Sequence, residues 1–498
     1  MRTDEELNLL IRSKYPVIFF ESVDESYSLE QLKEIASALG LDYFQWSLTE
    51  GLIRIPGAGA YYQTKEPPKM LGTVLELIKA QATGDIKPAL LVLKDFHKYL
   101  DDALTLRLFK DTINTARNTR TTLIILSAEC KIPKDIEQDC AHLLGGYPGD
   151  NEIEKLIRAT IADSWQTRSE IAFNLDRDDM KKVVAALRGL TAQQIRNVIN
   201  QCVINDNILS IQDLEIIEAF KKKVFDQDGL LEFYITEDKN NIAGFENLKL
   251  WLSERKTCFN RAATPSLPAP KGVLLMGIQG CGKSLAVKAI ARELGLPLYR
   301  LDLSKLYSKY IGESEENLRK ALLTVEKLSP ACLWIDEIEK GFASSGGDID
   351  GGVSQRILGT FLTWMQEHNT SSFLAATANN VYQLPPELLR KGRFDEVFFV
   401  DLPDNRSREQ LFKIHLQKRN LDPAHFDINL LAGSTHDFSG AEIEQAVISA
   451  LYRASSHNEP LNTDHILEQI RTTKPLAVLK SEEINGLRAW AKDRTRRA

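Results

Sequence analysis

Short runs of apolar residues recur along the second half of the chain, separated by stretches in which apolar residues follow helical spacing. Four such runs after residue 270 are KGVLLMG, LPLYRLDLS, ACLWIDEIEK and SFLAATANN. Continuous apolar runs that alternate with amphipathic helices are typical of buried strands in a parallel sheet. The pattern therefore predicts an α/β domain whose parallel sheet lies between helices.

The first half of the chain has a similar alternation, in YPVIFFES, GLDYFQWS, ALLVLKDFHKYL and TTLIILSAE. Both halves also end alike, because GLTAQQIRNVINQCVI at 189–204 parallels DFSGAEIEQAVISALY at 437–452. We expect the first half to be a degenerate copy of the second, although chance similarity is the alternative. The expected domains are 1–225 for this copy, 226–404 for an α/β core, and 405–498 for a helical lid and C-terminal tail.

Composition narrows the class of protein. Hydrophobic residues at 43% and charged residues at 26% of the 498 positions are typical of folded globular domains. The net charge of -7 argues against nucleic acid or an anionic membrane surface as the main partner. The six cysteines form no CxxC pair, which favours reduced thiols in the cytoplasm. No stretch reaches the roughly 18 apolar residues of a membrane span, and the acidic N-terminus is unlike a signal peptide.

One motif has the chemistry of a phosphate site. The segment GIQGCGKS at 277–284 reads G-x-x-x-x-G-K-S, between the apolar run GVLLM and the helical pattern LAVKAIARELG. In such a loop, backbone amides and a helix N-terminus surround the phosphates, the lysine reaches the β/γ oxygens and the serine ligates Mg²⁺. The lysine and serine at this spacing disfavour a simple glycine-rich turn. The residues that we assign to ATP here are Gly277, Ile278, Gln279, Gly280, Cys281, Gly282, Lys283, Ser284 and Leu285, with Ser284 also a metal ligand.

A second motif supplies carboxylates. Asp336 and Glu337 follow the apolar run CLWI, so they stand at the carboxyl end of a buried strand, where α/β folds bind ligands. Asp336 is expected to hold Mg²⁺ through water, and Glu337 to polarise the attacking water. Glu339 is interpreted as a neighbour without a role. The alternative is that these acids only cap the following helix.

From about residue 240 to 455, the order and spacing of these motifs resemble the AAA family of ATPases. The family resemblance implies hydrolysis of ATP with Mg²⁺ in a homo-oligomeric ring, with a hexamer expected. In LPPELLRKGRFDEVFFVDLP it implies arginine fingers that act on a neighbouring subunit, although exposed arginines more often form simple salt bridges. By the same resemblance, the adenine side is assigned to Ile242, Ala243, Gly440 and Ala441, the polar sensor to Asn379, and the fingers to Arg390 and Arg393. Alanine stands at 441 where some AAA proteins have an arginine.

SKYIGESE at 308–315 resembles the pore loop of the protein-remodelling AAA branch, which implies that Tyr310 grips polypeptide. An exposed aromatic ring can contact any extended chain without sequence preference, but a tyrosine packed on the domain surface is the alternative. The leading hypothesis is a protein remodeller or unfoldase. A nucleotide-gated switch or assembly platform without threading is the second hypothesis, and a DNA loader or helicase the third. The closing RTRRA is interpreted as a solvated helix terminus.

Over its full length the chain resembles the poorly characterised AAA proteins of cyanobacteria and algal chloroplast genomes. This resemblance implies a photosynthetic source, and either cytoplasm or plastid stroma as the location. It does not identify the substrate. A protein substrate or partner is expected, and contact with the membrane interior is not.

The first half lacks the chemistry of the second. ESVDES at 21–26 stands in place of the phosphate loop, without lysine or glycine. Aligning LVLKDFHK with LWIDEIEK puts Lys94 and Asp95 where Asp336 and Glu337 stand, so a cation replaces the metal carboxylate. We expect this half to be a scaffold that does not bind ATP.

We therefore predict one bound ATP per chain in titration calorimetry, because only one half has a phosphate loop. Lys283→Ala should abolish the binding, since the lysine is the main cation of that loop. A stoichiometry of two, or unchanged affinity in Lys283→Ala, would contradict the assignment.

Overall fold

The computed structural model describes residues 3–57, 59–82, 87–165, 172–234, 243–256, 270–306, 313–342, 353–367 and 372–498. The chain divides into two compact units, Met1–Ile217 and Glu218–Ala498. Each unit has its own sheet and core. The α/β class predicted for both halves is confirmed.

The first unit is built on a six-stranded sheet in the order β3-β2-β4-β5-β1-β6. Its strands are β1 (Val17–Glu21), β2 (Asp42–Ser47), β3 (Gly51–Ile55), β4 (Ala89–Lys94), β5 (Thr122–Ser127) and β6 (Cys140–Leu144). All pairs are parallel except β3 with β2. Every residue of β5 is buried, as its apolar sequence predicts.

Helices cover both faces of this sheet, and further helices follow its last strand along the chain. They are α1 (Thr3–Arg12), α2 (Glu25–Leu39), α3 (Pro67–Ala82), α4 (Ala103–Ala116), α5 (Asp150–Trp165), α6 (Arg177–Leu187), α7 (Ala192–Asp206) and α8 (Leu214–Asp228). A two-stranded sheet pairs β7 (Ala172–Asn174) with β8 (Ile208–Ser210). The division between the units falls within α8.

The second unit has a seven-stranded sheet in the order β15-β14-β10-β13-β12-β11-β9. Its strands are β9 (Leu231–Tyr234), β10 (Gly272–Gly277), β11 (Leu298–Leu301), β12 (Cys332–Ile335), β13 (Phe373–Ala378), β14 (Glu396–Val400) and β15 (Arg496–Arg497). Only β9 is antiparallel to its neighbour. The four strands predicted after residue 270 are β10, β11, β12 and β13.

The helices of the second unit fall into two groups. Those of the core are α9 (Glu246–Arg255), α10 (Lys283–Leu294), α11 (Glu313–Lys327), α12 (Ile338–Phe342) and α13 (Val353–Glu367). Those of the C-terminal part are α14 (Asn405–Gln417), α15 (Ile428–Gly433), α16 (Gly440–Ser456), α17 (Thr463–Thr472), α18 (Leu476–Leu479) and α19 (Ser481–Ala491). Buried residues of α14, α16 and α17 form a separate apolar cluster, and we call this helical part, 405–498, the lid.

Short 3-10 helices connect several of these elements. They are Phe96–Tyr99, Glu137–Asp139, Ile211–Asp213, Leu303–Leu306, Val381–Gln383, Pro386–Leu389 and Pro423–His425.

The closing arginines differ from expectation. The interpretation of RTRRA as a solvated helix terminus is wrong, because Arg496 and Arg497 form β15 beside β14, and the amide of Ala498 donates to the carbonyl of Phe399 at 3.0 Å. Both arginine side chains remain exposed, so the strand is held by its backbone. The tail therefore adds an edge strand to the sheet.

Five parallel strands have the same order in both sheets, and β15 is a sixth parallel strand in the second. These five strands are β1, β2, β4, β5 and β6 in the first sheet and β10 to β14 in the second. Numbered by their order along the chain, they lie side by side as fifth, first, fourth, third and second in both sheets. In each sheet an antiparallel strand, β3 or β9, covers the edge beside the second strand. Since open α/β sheets bind ligands at the carboxyl ends of their strands, the ends of β10 and β12 define where a site can form.

Candidate functional site

The loop after β10 is shaped by glycines. At Gly277, φ is +148°, and a Cβ atom there would overlap the carbonyl of Val400 on the neighbouring β14. The amide of Ile278 donates to the same carbonyl at 3.0 Å. Gly280 and Gly282 have φ of +78° and +85°, a region that side chains disfavour. The backbone thus turns sharply between β10 and α10 in a conformation that these glycines permit.

Lys283 begins α10 and is 6% exposed. Its ammonium donates to the carbonyls of Gly277 at 3.0 Å and Ile278 at 2.8 Å, so the side chain folds back over the loop. Burial lowers the pKa of Lys283 to about 8, because a charged ammonium loses hydration there. An anion such as a phosphate, placed within this loop, would favour the charged form.

The Asp336 carboxylate, just after β12, lies at the centre of the site. Its Oδ1 accepts hydrogen bonds from Ser284 Oγ at 3.1 Å and from Thr377 Oγ1 at 2.6 Å. The hydroxyl of Thr377 also accepts from the amide of Glu337 at 2.9 Å. Thr377 is buried in β13, and the sequence reasoning missed it, because a threonine in an apolar strand resembles a core residue.

These oxygens suit a magnesium ion. Ser284 Oγ donates its proton to Asp336 Oδ1 at 3.1 Å, which leaves the lone pairs of the hydroxyl for Mg²⁺ and puts the carboxylate within reach of water on the ion. Among the described residues, no group of three or more His, Cys, Asp or Glu side chains could hold a metal ion. Proteins usually hold Mg²⁺ with one or two side chains plus phosphates and water. Ser284 and Asp336 are therefore the residues that could bind it.

Glu337 is held in an unusual conformation beside them. Its φ is +50°, which is rare for a residue other than glycine and occurs often at functional sites. Oε1 accepts from Asn379 Nδ2 at 2.7 Å, and Oε2 pairs with the Lys340 ammonium at 2.5 Å. The predicted sensor Asn379 thus contacts the predicted water-polarising glutamate directly.

Glu339 is more than a neighbour. It is 2% exposed, and its Oε1 accepts from the backbone amide of Asn379 at 2.9 Å. The buried carboxylate therefore holds the end of β13 where the Asn379 side chain begins. The one hint in the sequence is its position, because Glu339 lies two residues after Glu337, in the first turn of α12.

The lid touches the loop through its helix α16. The amide of Ala441 donates to the carbonyl of Gly280 at 3.1 Å. Ser439 caps this helix in a reciprocal capping box with Glu442. A Cβ atom added at Gly440 would lie 3.5 Å from the carbonyl of Gly280, so the helix approaches the loop closely. Gly440 and Ala441, predicted for the adenine side, therefore lie against the phosphate loop.

The segment assigned to the adenine side also reaches this region. Ile242 lies outside the described residues, and Ala243 is half-buried. The ring of Phe245 lies 3.9 Å from where a Cβ atom on Gly282 would be. This segment therefore borders the end of the phosphate loop.

The remaining predicted residues divide by exposure. Gln279 and Leu285 are exposed, whereas Cys281 is buried, which raises the pKa of its thiol to about 12. Arg390 is exposed and its guanidinium makes no hydrogen bond or ion pair with the described residues, while Arg393 is half-buried and donates to the carbonyl of Leu362. Tyr310 lies outside the described residues, in the segment that connects β11 to α11.

A phosphate loop, a buried strand ending in Asp-Glu and a polar residue at the end of the adjacent strand, on a sheet with this order, define an ATPase of the AAA type. The family model for the ATPase family associated with various cellular activities (AAA) matches residues 273–402. Models for the N-terminal and second domains of SpoVK-like AAA ATPases match residues 3–143 and 151–228. The chain belongs to the AAA family of ATPases and is an ATP hydrolase.

Relatives of similar length narrow the group. The protein titled "Uncharacterized AAA domain-containing protein ycf46" from Trieres chinensis is 35% identical over 496 residues, 99% of this chain and 97% of the relative. The protein of the same title from Guillardia theta is 35% identical over 492 residues, 98% of this chain and 94% of the relative. The resemblance to AAA proteins of algal chloroplast genomes is therefore confirmed over the full length.

Other relatives share the ATPase part. The ATP-dependent zinc metalloprotease FtsH of Pelodictyon phaeoclathratiforme is 36% identical over 206 residues, which cover 41% of this chain and 31% of that protein. Among the described residues, no helix has both the length and the apolar character that crossing a membrane requires.

Thr377→Val should slow ATP hydrolysis by about tenfold or more, because Asp336 and the amide of Glu337 each lose a hydrogen bond. Steady-state turnover with saturating Mg-ATP measures the effect. Thr112→Val, the same change at a buried threonine of the first unit, is the matched control and should leave turnover unchanged. Normal turnover in Thr377→Val would contradict the role of Thr377 in holding Asp336 and Glu337.

Proposed function

We propose that the protein uses Mg-ATP hydrolysis to remodel or unfold other proteins, as a ring that grips polypeptide. The observation that carries this proposal is the hydrogen bond from Ala441 of the lid to Gly280 of the phosphate loop. A nucleotide in that loop has to alter the surroundings of this contact, so its arrival and departure would move the lid relative to the core. Such movement is what converts hydrolysis into force.

Within this proposal, each side chain of the site has a separate task. Lys283 binds the β- and γ-phosphates, for which the loop already holds its ammonium in place. Ser284 binds Mg²⁺ directly and Asp336 does so through water. When bound, the ion neutralises phosphate charge. The Thr377 hydroxyl orients Asp336, so that the lone pairs of the carboxylate point toward Ser284.

Glu337 is the group that polarises the attacking water. In the structure Asn379 and Lys340 each take one of its carboxylate oxygens. Each oxygen keeps a second lone pair, so the carboxylate can still accept a hydrogen bond from the attacking water. Asn379 stands at the end of the strand beside Asp336, where a γ-phosphate would compete for its amide and so change how Glu337 is held. This competition would link hydrolysis to the presence of the γ-phosphate.

The arginines favour an oligomer, and we propose a hexameric ring. Arg390 is exposed and its guanidinium makes no hydrogen bond or ion pair with the described residues, so it is available to a neighbouring subunit. Arg393 instead donates to the carbonyl of Leu362, which supports a role in holding its own loop unless that contact breaks on assembly. Of the two, Arg390 is the stronger candidate for an arginine finger.

Arg390→Ala should reduce turnover on the order of 10³-fold or more without weakening ATP binding, because a finger acts on the transition-state charge. Adding Lys283→Ala chains, which keep Arg390 but do not bind ATP, should restore part of the turnover in mixed assemblies. Arg393→Ala is measured alongside. Turnover per chain that does not rise with protein concentration would argue against any role in trans.

The first unit, together with 218–225, is proposed to be a degenerate AAA-like scaffold that does not bind ATP. Its strand order matches that of the second unit, and the SpoVK-like N-terminal model matches this part of the chain. We place the protein in the cytoplasm, or in the stroma if a plastid encodes it.

Gripping by Tyr310 separates the remodeller from a switch that only assembles partners. Glu337→Gln should bind ATP without hydrolysing it and so retain bound clients from a source-cell extract. Mass spectrometry of the retained proteins, with and without Tyr310→Ala, measures how much the Tyr310 side chain contributes to client binding. We expect clients to be lost with Tyr310→Ala. Clients retained in both variants would instead favour the switch.

A further inference from the structure

The first unit has a short turn where the second has its phosphate loop. Residues 22–24 alone connect β1 to α2, whereas residues 278–282 connect β10 to α10. The two places correspond, because β1 and β10 are each flanked by the fourth and fifth parallel strands of their sheet. The shorter turn lacks the backbone amides that would surround a phosphate.

The charges at this place are reversed relative to the ATPase site. Lys94, at the end of β4, pairs with Glu25 in the first turn of α2 at 3.1 Å. In the second unit the same places hold the carboxylate of Asp336 and the cation of Lys283. The backbone is nevertheless alike, since Asp95 has φ of +52°, close to the +50° of Glu337.

Asp24 lies between the N-termini of two helices. Its Oδ1 accepts from the amide of Tyr27 at 3.1 Å and so caps α2. Its Oδ2 accepts from the amide of Gln193 in the first turn of α7, also at 3.1 Å. Helix N-termini attract anions through their free amides and their dipoles. One carboxylate thus satisfies amides from two separate parts of the unit.

The second of these amides has a counterpart in the ATPase unit. α7 begins with a capping box of Thr191 and Gln194, and α16 begins with one of Ser439 and Glu442. Gln193 and Ala441 each stand two residues after the capping hydroxyl. The amide of Ala441 donates to the carbonyl of Gly280 in the phosphate loop, whereas that of Gln193 donates to the side chain of Asp24.

We propose that Asp24 serves as a built-in anion, which occupies the place of a nucleotide phosphate and holds the core and the α7 part of the first unit together without nucleotide. The Glu25–Lys94 ion pair stands at the positions that correspond to Lys283 and Asp336 of the second unit. The Arg196–Glu30 pair at 3.2 Å adds a second link between α7 and α2. This unit therefore stays closed throughout the ATPase cycle. The inference does not depend on whether the ATPase grips polypeptide.

Asp24→Asn tests the lock in the full-length protein by amide hydrogen exchange. Asparagine caps helices as well as aspartate, so the amide of Tyr27 should keep its protection. The charge and one acceptor oxygen are lost, so exchange at Gln193 should rise by about tenfold or more. Asp102→Asn, which changes the cap of α4 alone, is the matched control and should not alter exchange at Gln193. Unchanged exchange at Gln193 in Asp24→Asn would overturn the proposal.

Adding ATP tests whether the first unit stays closed throughout the ATPase cycle. In the unmodified protein, exchange at Ala441 should change with ATP, and exchange at Gln193 should not. The Lys283→Ala variant removes binding in the second unit, so any ATP-dependent change at Gln193 that persists there must come from nucleotide in the first unit. That result would overturn the proposal that Asp24 occupies the place of a nucleotide phosphate. If Ala441 failed to respond in the unmodified protein, the lid movement proposed for the ATPase would be refuted, while the result for Asp24→Asn would still stand.

Discussion

The Asp336 carboxylate ties three segments of the ATPase unit together through one oxygen. Ser284 reaches it from α10 and Thr377 from β13, while Asp336 itself ends β12. Because an unpaired carboxylate at this partly enclosed position would be costly, the three segments are held in one register at the end of the sheet. Glu337 and Asn379 extend from the same two strand ends, so their contact depends on that register. The chemistry of the site follows from where these strands stop.

The order of the parallel strands explains why such a site can form. β10 lies between β13 and β14, and β12 lies beside β13, which brings the glycine loop and the carboxylates to one edge. The close approach of Gly277 to Val400 then leaves no room for a side chain at the loop's first residue. Backbone packing within the sheet, as much as phosphate chemistry, therefore accounts for the first glycine of the motif.

The parallel strands and the motif residues could be predicted from the sequence, because long apolar runs and G-x-x-x-x-G-K-S are strong local signals. The edge strands could not. β3 contains an arginine and β15 consists of two arginines, so neither has the apolar pattern of a buried strand. Thr377 was missed for a different reason. Its role depends on contacts between β13 and the end of β12 that no spacing along the chain reveals.

The two units share much of one architecture. Strand order, the capping box of the lid helix and the unusual backbone at Asp95 and Glu337 are shared. What differs is the length of the loop after the first strand, the charges beside it and the partner of one helix amide. A backbone carbonyl in a glycine loop can shift when a ligand enters that loop, whereas the Asp24 carboxylate already accepts hydrogen bonds from the first turns of two helices without a ligand. On the proposal made above, the ATPase unit depends on nucleotide for its closure and the first unit does not.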